Sequence, residues 1–146
     1  MLGRLAKWLR ILGFDTLYAD KRLNEGLLLK SLKESRVLVT RSTSVSKKRA
    51  WKLVFVKSDK FTEQVKQLAG ELKLNLREEC FFTRCTFCNI PLVPVEKKES
   101  VKALVPEYVF QSQHKFSRCP SCGKVYWAGS HYELLLKTLK EAGLSK

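Results

Sequence analysis

Cys85-Thr86-Phe87-Cys88 and Cys119-Pro120-Ser121-Cys122-Gly123 are two copies of one short pattern, separated by residues 89–118. Two cysteines with two residues between them wrap a tight turn that aims both sulfurs at one point. The spacer is long enough for a hairpin or small sheet to bring the two pairs around a single tetrahedral ion. Pro120 and Gly123 suit the tight turn of the second pair. Four thiolates saturate zinc, whereas a catalytic zinc keeps an open position and takes His or carboxylate ligands. The pattern therefore predicts a structural Zn2+ held by Cys85, Cys88, Cys119 and Cys122, in a zinc ribbon over about residues 80–132. Such an ion contributes roughly 10–16 kcal/mol of apparent binding energy to a module too small for a core of its own. The competing reading, a pair of disulfides, does not suit a strongly basic chain whose first residues are too charged for a signal-peptide core. The fifth cysteine, Cys80, has no partner at ligand spacing and reads as a free thiol.

Upstream of the cysteines the pattern changes. Leu2, Leu5, Leu9 and Leu12 recur at helical spacing with Arg4, Lys7 and Arg10 on another face, and Gly13 is a natural stop. Residues 14–19 read as a short strand, and Asn24 can cap a helix carrying Leu27, Leu28 and Leu32. A strand over 37–40, a loop and short helix over 42–49, a strand over 53–56 and a helix from near Thr62 complete this half. Alternating strands and helices predict an α/β domain over residues 1–76, with a parallel sheet flanked by helices. Ligands gather at the C-terminal strand ends of such sheets. Here those ends are Ala19-Asp20, Thr40-Arg41-Ser42 and Lys57-Ser58-Asp59. Within the ribbon, strands are expected at 92–95, 108–111 and 125–127 and a brief helix near 99–104; a C-terminal helix is expected to occupy 133–146, starting near His131.

Lys and Arg outnumber Asp and Glu by 28 to 14, for a formal charge of +14. A four-thiolate zinc site lowers that by only about 2. The excess favours a polyanionic partner such as a nucleic acid; the bland alternative is a cationic surface that merely keeps the protein soluble. No apolar run approaches the roughly 20 residues needed to cross a bilayer, so a cytoplasmic protein without a membrane partner is expected.

Several segments together carry a family resemblance: Met1-Leu2-Gly3-Arg4-Leu5-Ala6-Lys7-Trp8-Leu9-Arg10-Ile11-Leu12-Gly13, Phe14-Asp15-Thr16-Leu17-Tyr18, Val37-Leu38-Val39-Thr40-Arg41, Phe82-Thr83-Arg84-Cys85, and Cys119 through Trp127 with Gly129-Ser130-His131. They resemble the Mut-seven C-terminal RNase domain, a PIN-like nuclease fold fused to a zinc ribbon. The resemblance implies an endoribonuclease in which acids at the strand ends hold Mg2+ or Mn2+, activating water and bearing the charge of the scissile phosphate. Two departures stand out. The family begins with a further strand ending in Asp, before the segment matching Met1, and where it has Asp after Thr-Arg this chain has Ser42. Asp20 is then the surviving candidate metal ligand, with Asp15 and Asp59 as weaker support. One carboxylate does not assemble a metal pair, so impaired catalysis is expected. A missing first strand would also leave rows of backbone groups unpaired. The sheet then closes differently, another chain supplies a strand, or the natural protein begins upstream.

Arg4, Lys7, Arg10, Arg41, Lys47, Lys48 and Arg49 read either as a phosphate-contacting rim or as a solvated face. Phe81, Phe82, Phe87, Tyr126, Trp127 and Tyr132 read as ribbon core or as platforms for unpaired bases; His131 reads as a structural histidine or an RNA contact. The leading expectation is an RNA-directed protein on a metal-dependent endoribonuclease fold. Its rivals are a non-catalytic RNA- or ribosome-associated binding module and an adaptor whose ribbon binds another protein.

Overall fold

The first helix shows how this chain starts and stops its elements. In the computed structural model, which describes residues 2–18 and 24–144, α1 (Gly3–Ile11) buries Leu5, Ala6, Trp8 and Leu9 and leaves Arg4 and Lys7 exposed. It ends because Gly13 takes a φ of +96°, a conformation that costs glycine little. The Phe14 N–H then reaches back to the Leu9 carbonyl and the Gly13 N–H to that of Arg10, both at 3.0 Å. The same six-residue closure ends three more helices. It runs from Arg36 to Ser31 after α2 (Asn24–Glu34), from Leu74 to Ala69 after α4 (Phe61–Leu72), and from Leu144 to Leu139 after α6 (Ser130–Glu141). At the last, Gly143 supplies the left-handed residue, but Ser35 (φ +54°) and Lys73 (φ +50°) do so for the other two. A side chain there costs about 1 kcal/mol relative to glycine. Lys73→Gly is therefore expected to raise the urea midpoint, by the equivalent of roughly 0.5–1 kcal/mol. A lower midpoint would refute this account of the α4 ending.

β1 (Val37–Thr40) and β2 (Lys52–Phe55) run parallel, in register from Val37 opposite Lys52 to Thr40 opposite Phe55, with α3 (Thr43–Ser46) in the connection. Two side chains lock this unit to its helices. The buried Ser31 hydroxyl of α2 donates to the Arg36 carbonyl (2.6 Å) and accepts the Trp51 N–H (3.2 Å), holding both strand entries. Gln67 of α4 donates to the Phe55 carbonyl (2.7 Å) and accepts the Lys57 N–H (3.1 Å), holding the exit of β2. Leu5, Leu9 and Leu12, Val54, Val65 and Leu68, and Leu135 and Leu139 of α6 form the main core, with Phe81 reaching in from the connecting segment. Trp8 meets Phe61 edge to face at 5.8 Å.

A second, smaller body follows. β3 (Val93–Pro94), β4 (Ser117–Arg118) and β5 (Val125–Tyr126) form an antiparallel sheet in that order. A 3-10 segment (Lys98–Leu104) and α5 (Glu107–Ser112) fill the connection. Its core is thin: Val101, Val105, Val109 and Phe116, backed by Val95, Phe110, Val125 and Trp127. The chain is thus mixed α/β with a small parallel sheet, followed by a three-stranded antiparallel module.

Two expected strands are not strands. Residues 14–18 carry no regular secondary structure and join no sheet, and Ala19 lies outside the described residues. The Thr16 N–H goes to the Asn89 side chain (2.9 Å) instead of to a neighbouring strand. Residues 108–111 lie in α5, where Pro106 is the N-cap and its carbonyl accepts the Val109 and Phe110 N–H groups, each at 3.0 Å. Among the described residues β1 pairs with β2 alone, and Val37 to Thr40 also line a cleft of about 1320 Å³ together with residues 14–18. No helix of the described residues is long and apolar enough to cross a membrane.

Candidate metal centre and adjoining cleft

The two cysteine turns are wired alike. In the first, the Cys88 N–H donates to Cys85 Sγ (3.3 Å), the Asn89 N–H to the Cys85 carbonyl (2.9 Å), and the Cys85 N–H to the Ile90 carbonyl (2.9 Å). In the second, Cys122 donates to Cys119 Sγ (3.4 Å), Gly123 to the Cys119 carbonyl (3.0 Å), and Cys119 to the Lys124 carbonyl (2.9 Å). Each turn needs a left-handed residue just after its second cysteine, and Asn89 (φ +63°) and Gly123 (φ +78°) are those residues. The isolated bridge from Arg84 to Pro91 closes the first turn, and β4 with β5 closes the second.

The four sulfurs converge. All lie within 4.8 Å of one another, and Cys85 Sγ to Cys122 Sγ is 3.8 Å. A tetrahedral ion with zinc–thiolate bonds of about 2.3 Å sets an edge of about 3.8 Å, so the donor set has the right size and chemistry. Cys85 and Cys119 are buried, Cys88 is half-buried and Cys122 is exposed; Cys80 stands outside the cluster. Burial pushes the Cys85 thiol up, but the Tyr126 hydroxyl (3.1 Å) and the Cys88 and Phe87 N–H groups favour its thiolate more, bringing it down to about 6. Cys88 moves the other way, to about 12, through burial and the Cys122 and Cys119 sulfurs beside it. Four thiols this close do not all ionise unaided; a divalent cation removes that conflict. Tyr126 also accepts the Thr86 N–H (3.3 Å), so its hydroxyl is fixed before it meets the sulfur.

Asn89 does more than turn the chain. Its side chain is buried, with Oδ1 accepting the Thr16 N–H and Nδ2 donating to Asp15 Oδ1 at 2.7 Å. Asp15 Oδ2 pairs with Arg36 at 2.9 Å, and the Arg10 guanidinium donates to the Thr16 and Thr86 carbonyls, both at 2.8 Å. The metal turn is thereby fastened to α1 and to the entry of β1. Arg36 holds the Asp15 carboxyl below its usual range. An Asn where the other turn has Gly was the available sequence signal for this joint. No spacing rule connects Asp15 to Arg36 or Tyr126 to Cys85.

The cleft receives some of the expected residues. Arg41 and Ser42 line it at the C-terminal end of β1. Ser42 is the N-cap of α3, its Oγ accepting the Val45 N–H at 3.3 Å. Among the described residues the acids lining the cleft are Asp15 and Glu34, and both pair with Arg36. Asp20 lies outside the described residues, as does the His131 side chain; Asp59 is exposed and does not line the cleft. Lys47, Lys48 and Arg49 are exposed after α3. Arg4 and Lys7 line a separate groove with Phe61 and Leu134, where the Arg4 guanidinium stacks 4.1 Å from the Phe61 ring centre.

No curated protein and no solved structure matches the chain. The family model described as the Mut7-C RNAse domain matches residues 1–139, the α/β body and the cysteine module together. On that match, which spans nearly the whole sequence, the chain belongs to the Mut7-C RNAse domain family.

Proposed function

We propose that this protein acts on RNA from a metal-dependent endoribonuclease fold whose own catalysis is weakened, and that Cys85, Cys88, Cys119 and Cys122 hold a structural Zn2+. The observation that carries the catalytic part is the state of the cleft acids: among the described residues, Asp15 and Glu34 are both engaged by Arg36, and Ser42 presents a neutral hydroxyl that already caps a helix. A Mg2+ or Mn2+ ion needs several oxygen ligands of which carboxylates carry the charge. In this reading Asp20 is the remaining carboxylate ligand at the strand ends. Arg41, Lys47, Lys48 and Arg49 supply phosphate contacts along the rim. The α/β body of residues 1–76 and the ribbon of residues 80–132 are the two functional parts. The second reading, a non-catalytic RNA- or ribosome-associated module, draws on the same two paired acids.

The test uses single-stranded RNA with Mn2+, comparing wild type, Asp20→Ala and Ser42→Asp. Asp caps helices as well as Ser, so Ser42→Asp keeps the Val45 N–H satisfied while adding a carboxylate at the strand end. Wild type is expected to bind with a log–log salt slope near −3.5 if about 5 phosphates are contacted, and to cleave slowly. Ser42→Asp should cleave faster, and Asp20→Ala not at all. Binding without cleavage in all three proteins selects the non-catalytic module. Rapid wild-type cleavage that survives Asp20→Ala defeats the proposal.

A further inference from the structure

Six aromatic residues surround the cysteine turns, and the structure assigns five of them to packing. Phe81 is buried, Phe82 and Tyr132 lean on the main core with ring centres 5.9 Å apart, Trp127 packs on Phe116 in the second core, and Tyr126 serves the Cys85 sulfur. Phe87 is left. It stands between Cys85 and Cys88 with 71% of its surface exposed. Its backbone is held on both sides. The Thr86 carbonyl accepts from Arg10, and the Cys88 N–H donates to the Cys85 sulfur. A phenyl ring left in water on a held turn forgoes the burial that such side chains normally gain.

The surroundings of that ring are cationic. Lys124 Nζ lies 5.7 Å from the ring centre, within the range of a cation–π contact. Lys124 directly follows Gly123, whose carbonyl accepts from Nε of the exposed Arg118 (3.2 Å). An exposed ring face with a lysine over it, and an arginine bonded to the residue before that lysine, is an arrangement by which proteins take an unpaired base and its phosphate. Tyr108 is equally exposed, at 74%, but no cation lies over its ring among the described residues. An apolar protein groove closing over Phe87 would have to desolvate Lys124, whereas a phosphate would pair with it.

We infer that Phe87 is a stacking platform for an unpaired RNA base, with Lys124 and Arg118 taking the adjoining phosphate. The inference rests on the RNA reading above and adds a binding site on the ribbon. Arg10 joins the Thr86 and Thr16 carbonyls, so the turn that carries Phe87 is tied to a segment lining the cleft.

The test measures binding of a short single-stranded oligouridylate at several salt concentrations. Phe87→Ala is expected to weaken binding roughly 10-fold, with the salt slope and the metal content unchanged, because stacking releases no counterions. Lys124→Ala should make the slope shallower by about 0.7. Phe87→Trp should retain affinity, with its added emission quenched on saturation. Wild-type affinity in Phe87→Ala, with the parent binding normally, overturns the platform and leaves the RNA reading standing. No binding by the parent at low salt overturns both. Phe87→Trp emission untouched by saturating RNA also overturns the platform and reassigns the ring to a protein partner.

Discussion

Stripping the ion from the four cysteines is expected to unfold the antiparallel module and to spare most of the α/β body. The second core consists of four buried side chains with partly buried neighbours, too few to hold β3, β4 and β5 in place by burial alone. A structural zinc contributes roughly 10–16 kcal/mol of apparent binding energy, comparable with the whole stability of a typical domain of about 5–15 kcal/mol. The main core draws on α1, β2, α4 and α6, none of which depends on the sulfurs. Hydrogen exchange on chelated protein should therefore show the Cys85, Asn89, Cys119 and Gly123 amides losing protection while Val54 and Leu68 keep theirs. The Thr16 amide is the informative one. It lies in the α/β body by sequence but donates to the Asn89 side chain, so it should open with the ribbon. Metal removal that leaves all of these amides protected would end the structural-zinc account, as would purified protein without stoichiometric metal.

Gly13→Ala is expected to be the most damaging conservative substitution in the α/β body. Gly13 sits at φ +96°, and a Cβ there would lie 2.5 Å from the Cys80 carbonyl oxygen and 2.9 Å from Cys80 Cβ. The backbone conformation costs an alanine about 1–2 kcal/mol. Separating the helix end from the 3-10 turn at Glu78–Cys80 adds roughly 1–3 kcal/mol, as overpacking does elsewhere. The two segments are also joined by the Phe82 N–H to the Ile11 carbonyl at 2.7 Å, so neither moves alone. Together these amount to a loss on the order of 10 °C in Tm. Gly70→Ala is the control. That glycine lies in α4 with nothing within 4 Å of a built Cβ, so alanine should stabilise by up to about 1 kcal/mol. Equal melting temperatures for Gly13→Ala and wild type would mean that the Cys80 segment is far more yielding than its contacts indicate.

These cases also show what could be read without coordinates. The cysteine spacing foretold the cluster because two residues between thiols leave little freedom in where the sulfurs point. α1 and α4 were legible because Leu5 and Leu9, and Val65 and Leu68, repeat at the helical period. The reading failed where a segment's partner lies far away in sequence. Residues 14–18 have the composition of a strand, but a strand exists only with a neighbour, and this one is held by Asn89 and Arg10 instead. Tyr108, Val109 and Phe110 favour sheets, but Pro106 and Glu107 begin a helix and Val109 is needed in the second core. β4, two residues long, has no periodicity to read. In the cleft, the Ser42 position could be singled out in advance, while its use as the cap of α3 and the capture of Asp15 by Arg36 could not.

The uneven cover over the four sulfurs has a kinetic consequence. Cys85 and Cys119 are roofed by protein, but Cys122 faces solvent. A competing ligand or an oxidant therefore meets Cys122 first, and if the cluster holds the proposed zinc, exchange of the ion is expected to begin at that corner.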